Sequence, residues 1–151
     1  MTAEDNKVIF RRLVEEVINP GKLDRMDEFV DPHFVDHYPP VPGRASGIED
    51  FKQGFATLRG AFPDLRLTIE DMISEGEKVS FRITLRGTHL GAFAGIPPTG
   101  RAVMWPAVGI MLILDGKIAE CWLQSDATRL MEQLGAVPSS GQLAGGLEGP
   151  R

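Results

Sequence analysis

Apolar residues recur every third or fourth position up to Phe62, and from Leu65 they recur every second position until the last strand ends near Gln124. That switch confines the helices to the two ends of the chain. It calls for a fold in which a helical layer covers one face of an antiparallel sheet. Upstream, Ile9, Leu13 and Val17, flanked by Phe10 and Val14, mark an amphipathic helix from Glu4 to Ile18. Asn19-Pro20-Gly21 ends it. A short helix from Leu23 to Val30 offers Leu23, Met26, Phe29 and Val30, and a short strand is expected at Phe34 to His37, before a proline- and glycine-rich loop. Ser46 with Glu49 reads as a capping box, opening a helix with Ile48, Phe51, Phe55, Leu58 and Phe62 on one stripe. Pro63 stops it.

Downstream, Leu65, Leu67 and Ile69 alternate with polar residues, and after a Glu75-Gly76-Glu77 turn so do Val79, Phe81, Ile83 and Leu85. These runs predict an antiparallel hairpin with one wet face. A long loop, His89 to Gly100, leads to Val103–Leu114, which is apolar on both parities and needs cover on both faces. Pro106 within that run implies an edge position or a bulge. Asp115-Gly116 is a tight-hairpin signal, followed by a strand from Lys117 to Gln124 and a helix from Asp126 to Leu134, capped by Gly135. The order is α+β: a curved, mostly antiparallel sheet wrapped around N-terminal helices, enclosing a pocket. Residues 1–135 form the expected domain, and 136–151 a disordered polar tail.

Composition narrows the function. The 151 residues, 42% of them apolar, suffice for a core without disulfides or a structural metal. One cysteine, Cys121, forbids an internal disulfide. The net charge of −5 argues against a nucleic-acid surface. No apolar run approaches the roughly 20 residues of a membrane span, and the polar, acidic start is no secretory signal. A soluble cytoplasmic protein is expected. His33, His37 and His89 give a four-residue pair off any predicted helix plus a distant third, so no metal site is expected.

Three segments carry a family resemblance. Gly87-Thr88-His89-Leu90-Gly91-Ala92-Phe93-Ala94-Gly95-Ile96-Pro97-Pro98-Thr99-Gly100-Arg101 resembles the rim loop of SnoaL-like polyketide cyclases and ester cyclases. Asp115-Gly116-Lys117-Ile118 with Trp122, Asp126 and Gln133-Leu134-Gly135 resembles their ending, and Phe34-Val35-Asp36-His37 the segment after their second helix. The resemblance implies the cone-shaped α+β barrel shared with nuclear transport factor two, with no cofactor, and a homodimer through the sheet face. It also implies an intramolecular aldol closure using an aspartate on the last strand, assisted by a histidine on the strand before. Those two positions are Leu123 and about Gly109 here, so the usual acid/base pair is absent.

Strand parity suggests what stands in. Ala119, Cys121 and Leu123 share one face of the last strand and, in the family register, line the cavity with Trp105, Ala107, Gly109 and Met111. Such a wall suits a flat or aliphatic ligand, or simply fills a core. Asp71 shares the inward parity of Ile69 and is a candidate proton acceptor. A β-bulge after Ile69 would instead turn it out, and that reading also covers Met72 and Ile73. His37 is the second acid/base candidate, or else bonds a carbonyl at the strand end; Asp36 beside it faces the opposite way. His89 and Phe93 belong to the rim loop, where a histidine more often fixes loop geometry than reacts. Cys121 is expected to be an inert thiol.

The site predicted from sequence is therefore His37 and Asp71 for catalysis, with Asp36, His89, Phe93, Trp105, Met111, Cys121 and Leu123 around a small hydrophobic substrate. The expected function is cofactor-free acid/base chemistry on a small hydrophobic carbonyl compound. The alternatives are a non-catalytic binding protein of the same fold, or an isomerase or hydrolase using the same cavity.

Overall fold

The structure, a computed structural model, describes residues 2–38 and 46–136. Its first helix, α1 (Ala3–Arg12), is opened by Thr2, whose hydroxyl accepts from the Asp5 N–H while the Asp5 carboxylate accepts from the Thr2 N–H. It runs on into a π-helical segment, Leu13–Ile18. The whole predicted stripe from Ile9 to Ile18 is buried. Arg59 caps this rod by donating to the carbonyls of Ile18 and Asn19, at 3.2 Å each. The Asn19 amide then bonds the Leu67 backbone in both directions, at 2.7 and 3.0 Å, so the helix end serves as a neighbour to the outermost strand.

A 3₁₀ helix, Leu23–Glu28, replaces the expected helix to Val30, because Val30 already begins β1 (Val30–Asp36). The next helix, α2 (Ile48–Ala61), starts at Gly47 and not from the predicted capping box. Ser46 is drawn instead into an isolated bridge with Asp36, Asp36 N donating to Ser46 O at 2.8 Å and Ser46 N to Asp36 O at 3.4 Å. Its side chain makes no cap.

Four strands follow: β2 (Arg66–Glu75), β3 (Lys78–Thr88), β4 (Ala102–Leu114) and β5 (Lys117–Ser125), closed by α3 (Ala127–Gln133). The sheet order is β1-β5-β4-β3-β2, antiparallel except for the parallel β1–β5 pair. Asp115 and Gly116, both at positive φ (50° and 78°), make the predicted hairpin turn. The sheet stays open, and bulges bend it over the helices. One lies between Ile69 and Asp71 on β2 and another opposite Leu112 and Ile113 on β5, and the β1–β5 register also shifts between Val30 and Val35.

These bulges correct the simple parity. On β5 the extra residue is Ala119, so Ile118 is fully buried and Ala119 is not part of the inner face. On β2 Asp71 turns outward while Met72 packs on the core. Pro106 lies in a central strand, yet its local setting is an edge. Pairing of β4 with β5 begins only at Ala107, and Pro106 O accepts from Asp126 N on that side, so its ring nitrogen faces where β5 has already ended.

The core forms between α1, the π-helical segment and the concave sheet face, with Phe10 stacked on Phe81 at 4.4 Å. On the outer face Met104, Val108, Ile110 and Leu114 of β4 are exposed. Among the described residues no helix is long and apolar enough to cross a membrane. The expected tail lies outside the described residues, apart from Ala136.

Gly109 sits where three elements meet: a Cβ there would lie 2.5 Å from Trp122 O and 2.8 Å from the Phe81 ring. The space the family resemblance assigns to a histidine is thus filled by Phe81. Gly109→Ala is expected to destabilise the protein by about 1–3 kcal/mol through overpacking. Urea unfolding would measure this, and an unchanged midpoint would show that the strand has room to spare.

Candidate functional site

A cavity of about 570 Å³ opens between α2, α3 and the concave face of the sheet. Its walls are apolar. Phe51, Phe55 and Leu58 come from one stripe of α2, while Leu67, Ile83, Leu85, Trp105, Ala107 and Leu123 come from alternate positions of four strands. Phe93 descends from the loop after β3, and Leu130 and Met131 close the α3 side. That loop is held tightly. Leu90 N and Gly91 N both donate to Ala61 O, and Gly91 lies so close to Gly60 O that no side chain fits.

Most of the polar groups lie where β1 meets the entry to α2, with Asp36, Tyr38, Ser46 and Asp50; Gln53 and Thr57 of α2 and Ser125 of β5 add others elsewhere in the lining. Asp36 ends β1 beside Cys121 of β5, and this register aims its carboxylate inward. It is 7% exposed. Burial pushes its carboxyl above the usual carboxylate range, opposed by the Tyr38 N–H, which donates to Oδ1 at 3.1 Å, and by the adjacent His37. The Asp36 charge in turn adds to burial in pushing the Cys121 thiol up. No lysine, arginine or histidine among the described residues lines this cavity. A buried carboxylate in largely apolar surroundings is a proton acceptor whose conjugate acid is easier to form than in water.

Four residues predicted from sequence come together here: Asp36, Phe93, Trp105 and Leu123. Met111 and Cys121 point inward but are sealed in the core behind it. His89 is fully buried outside the lining; Thr99 N donates to its Nδ1 at 3.1 Å and Thr99 Oγ1 lies at 3.0 Å, so the ring braces the two ends of the rim loop. The two residues expected to be catalytic lie elsewhere. Asp71 is on the outer face, bound to Arg82 Nη2 at 2.7 Å, because the bulge after Ile69 reverses its direction. His37 is exposed just past β1, its ring stacked 4.5 Å from Trp122 and its Nε2 2.6 Å from Glu120 Oε1. Adjacent residues face opposite ways, and Asp36 is the one that faces in.

Sequence reasoning missed Ser46 and the cavity role of the α2 stripe. The stripe itself was visible, but its period is the same for a helix packed on a core and one packed over a cavity. Ser46 was read as a cap, which hid it.

Comparison with known proteins agrees with this geometry. A family profile described as SnoaL-like polyketide cyclase matches residues 8–134. The nogalonic acid methyl ester cyclase of Streptomyces nogalater is 31% identical over 78% of this chain and 88% of its own length. The aklanonic acid methyl ester cyclase DnrD of Streptomyces peucetius is 31% identical over 74% and 78%. Among solved structures, AclR of Streptomyces galilaeus, a proposed hydroxylase, superposes with a TM-score of 0.82 at 28% identity, over 91% of this chain and all of that one. IdmH of Streptomyces antibioticus, a proposed polyketide cyclase, gives 0.79 at 31% identity, over 86% and 98%.

The raised Asp36 carboxyl makes a testable statement about stability. The folded state holds this proton more tightly than the unfolded chain, so the stabilising contribution is complete below the unfolded value of about 3.9. It is lost as pH rises through the folded value. Asp36→Asn keeps an oxygen for the Tyr38 N–H and removes that loss. Its melting temperature relative to the parent is expected to climb between acid and neutral pH. A difference that stays flat with pH would contradict a buried, reluctant carboxylate.

Proposed function

This chain belongs to the SnoaL-like polyketide cyclase family, and from that premise we propose that it closes a ring in a small hydrophobic, ester-bearing polyketide by cofactor-free aldol chemistry, with Asp36 as the proton-transfer group. The observation that carries the reading is the inward, buried carboxylate of Asp36, the one buried carboxylate among the described residues of a largely apolar cavity. Asp50, the other carboxylate of the lining, is exposed.

The carboxylate takes a proton from the carbon between two carbonyl groups, and the C–H electron pair moves onto a carbonyl oxygen as an enolate. The enolate carbon then bonds a second carbonyl carbon of the same molecule, and the alkoxide formed takes the proton back from Asp36. Nothing is oxidised or reduced. Carbon acids flanked by two carbonyls are acidic enough for a carboxylate base, so the step needs no metal or cofactor. The aromatic and aliphatic walls hold the folded chain of the substrate with its reacting carbons in contact, which supplies the rest of the acceleration. A neutral ester suits a cavity whose described lining holds two carboxylates and no cation.

We further propose that the protein works in the cytoplasm as a homodimer joined through the outer sheet face. The exposed Met104, Val108 and Ile110 support this, because a contiguous apolar stripe on a central strand is unfavourable in water.

Nogalonic and aklanonic acid methyl esters are the substrates to assay. Asp36→Asn is expected to lower kcat by about 10²–10⁴-fold, while Asp71→Asn and His37→Ala leave it unchanged. Binding of both esters without turnover by the parent protein would sink the enzyme reading in favour of a binding protein. Sedimentation is expected to give twice the 16.5 kDa chain mass, and Ile110→Glu the monomer. A parent protein that sediments as a monomer at high concentration rules the dimer out.

A further inference from the structure

We infer that Ser46 is the hydrogen-bond donor to the substrate oxygen on which negative charge develops, completing with Asp36 a two-residue proton-transfer site. This rests on the cyclase reading above and adds a second residue to it.

The observation is a hydroxyl with no partner. Ser46 is 8% exposed, and its Oγ is buried without any hydrogen bond. Leaving a buried hydroxyl unpaired is costly, so an unpaired one in a native protein calls for an explanation. Two ordinary explanations fail here. The residue type and spacing suit a helix cap, but the N-cap of α2 is Gly47, which makes no side-chain cap bond. A core serine would bond a neighbouring carbonyl, and this one does not. What remains is its position. Ser46 lines the same cavity as Asp36 and is tied to it by two backbone hydrogen bonds, so the two side chains are fixed relative to one another.

Charge explains why such a donor is needed. Forming the enolate puts negative charge on an oxygen in a largely apolar cavity, where none of the described lining residues is a cation. Among the described residues that leaves neutral donors to stabilise it, and a preorganised donor away from bulk water counts for most. Of the hydroxyls in the lining, those of Tyr38, Thr57 and Ser125 belong to exposed residues. Ser46 is the buried one, and it stands at the uncapped amino end of the 14-residue α2, where the helix field favours negative charge. In the free protein its hydroxyl is turned off the open cavity and has no partner; rotation about χ1 presents it to a bound carbonyl oxygen, which supplies one.

Ser46→Ala separates this from a structural role. A structural serine lost to alanine lowers the melting temperature. The inference expects a melting temperature equal to or above that of the parent, together with a loss of about 100-fold in kcat on nogalonic acid methyl ester and little change in KM. A second probe is independent of turnover. 2-Naphthol offers its proton to Asp36 and its oxygen to Ser46, whereas naphthalene touches only the apolar walls. Ser46→Ala should weaken 2-naphthol by about five- to tenfold, as expected for one buried hydrogen bond, and leave naphthalene unchanged. If the parent turns over the ester and Ser46→Ala does so equally well, the inference falls and the cyclase reading stands. If the parent turns over neither ester, yet the naphthol difference holds, the cyclase reading falls while the donor role at Asp36 stands. Equal weakening of both naphthalene compounds overturns the donor role outright.

Discussion

The enclosure depends on one parallel pairing. Three of the four strand pairs are antiparallel, and each involves β3 or β4, so those contacts alone would give a meander with a free outer edge. What turns the meander into a cup is β1 laid along β5. Ile118 N bonds Phe29 O at one end, and His37 N bonds Cys121 O at the other, at 2.8 and 2.9 Å. Parallel pairs need a crossover that is distant in sequence. Here that distance is the whole chain between the N-terminal helices and the last hairpin. The pairing therefore carries the helical layer onto the concave face, buries Val30 and Phe34, and presents Asp36 to the interior.

Much of this was legible in the sequence because periodicity reports which face of an element is buried. The stripe from Ile9 to Ile18, the hairpin across Glu75-Gly76-Glu77 and the Asp115-Gly116 turn were all readable in that way. The parity errors have one cause. A bulge adds a residue that the alternation itself does not mark, and from there on the parity is reversed; Met72 and Ile73 hinted at it on β2, but nothing did on β5. The misplacement of Ala119 and Ile118 follows from the bulge on β5, and the outward Asp71 from the bulge on β2. Ser46 failed differently. Two local structures competed for it, and a long-range bridge to Asp36 won over the cap that nearby residues favoured.

The choice between Asp36 and His37 was also beyond sequence reading, since it depends on which strand β1 joins and in what register. Once β1 pairs with β5, strand geometry puts the Asp36 backbone about 8 Å from that of Leu123, one strand across and one pleat along. Both side chains rise from the same face of the sheet into the one cavity. The position where the family resemblance places an aspartate and the position that holds a buried carboxylate here thus serve neighbouring parts of one cavity. The filling of the space over Gly109 by Phe81 fits the same shift, since a cavity without a histidine at that spot is free to pack it.

The sealed position of Cys121 gives the protein a reporter of its own motion. The thiol is fully buried at the seam between β1 and β5, and burial beside the Asp36 charge keeps it protonated. Reagents that attack thiolates reach it only when that seam parts. As the chain has no other cysteine, the labelling rate of the unmodified protein follows a single opening event. It measures how often the cup comes undone at the strand that carries the carboxylate, without a dye, a tag or a mutation.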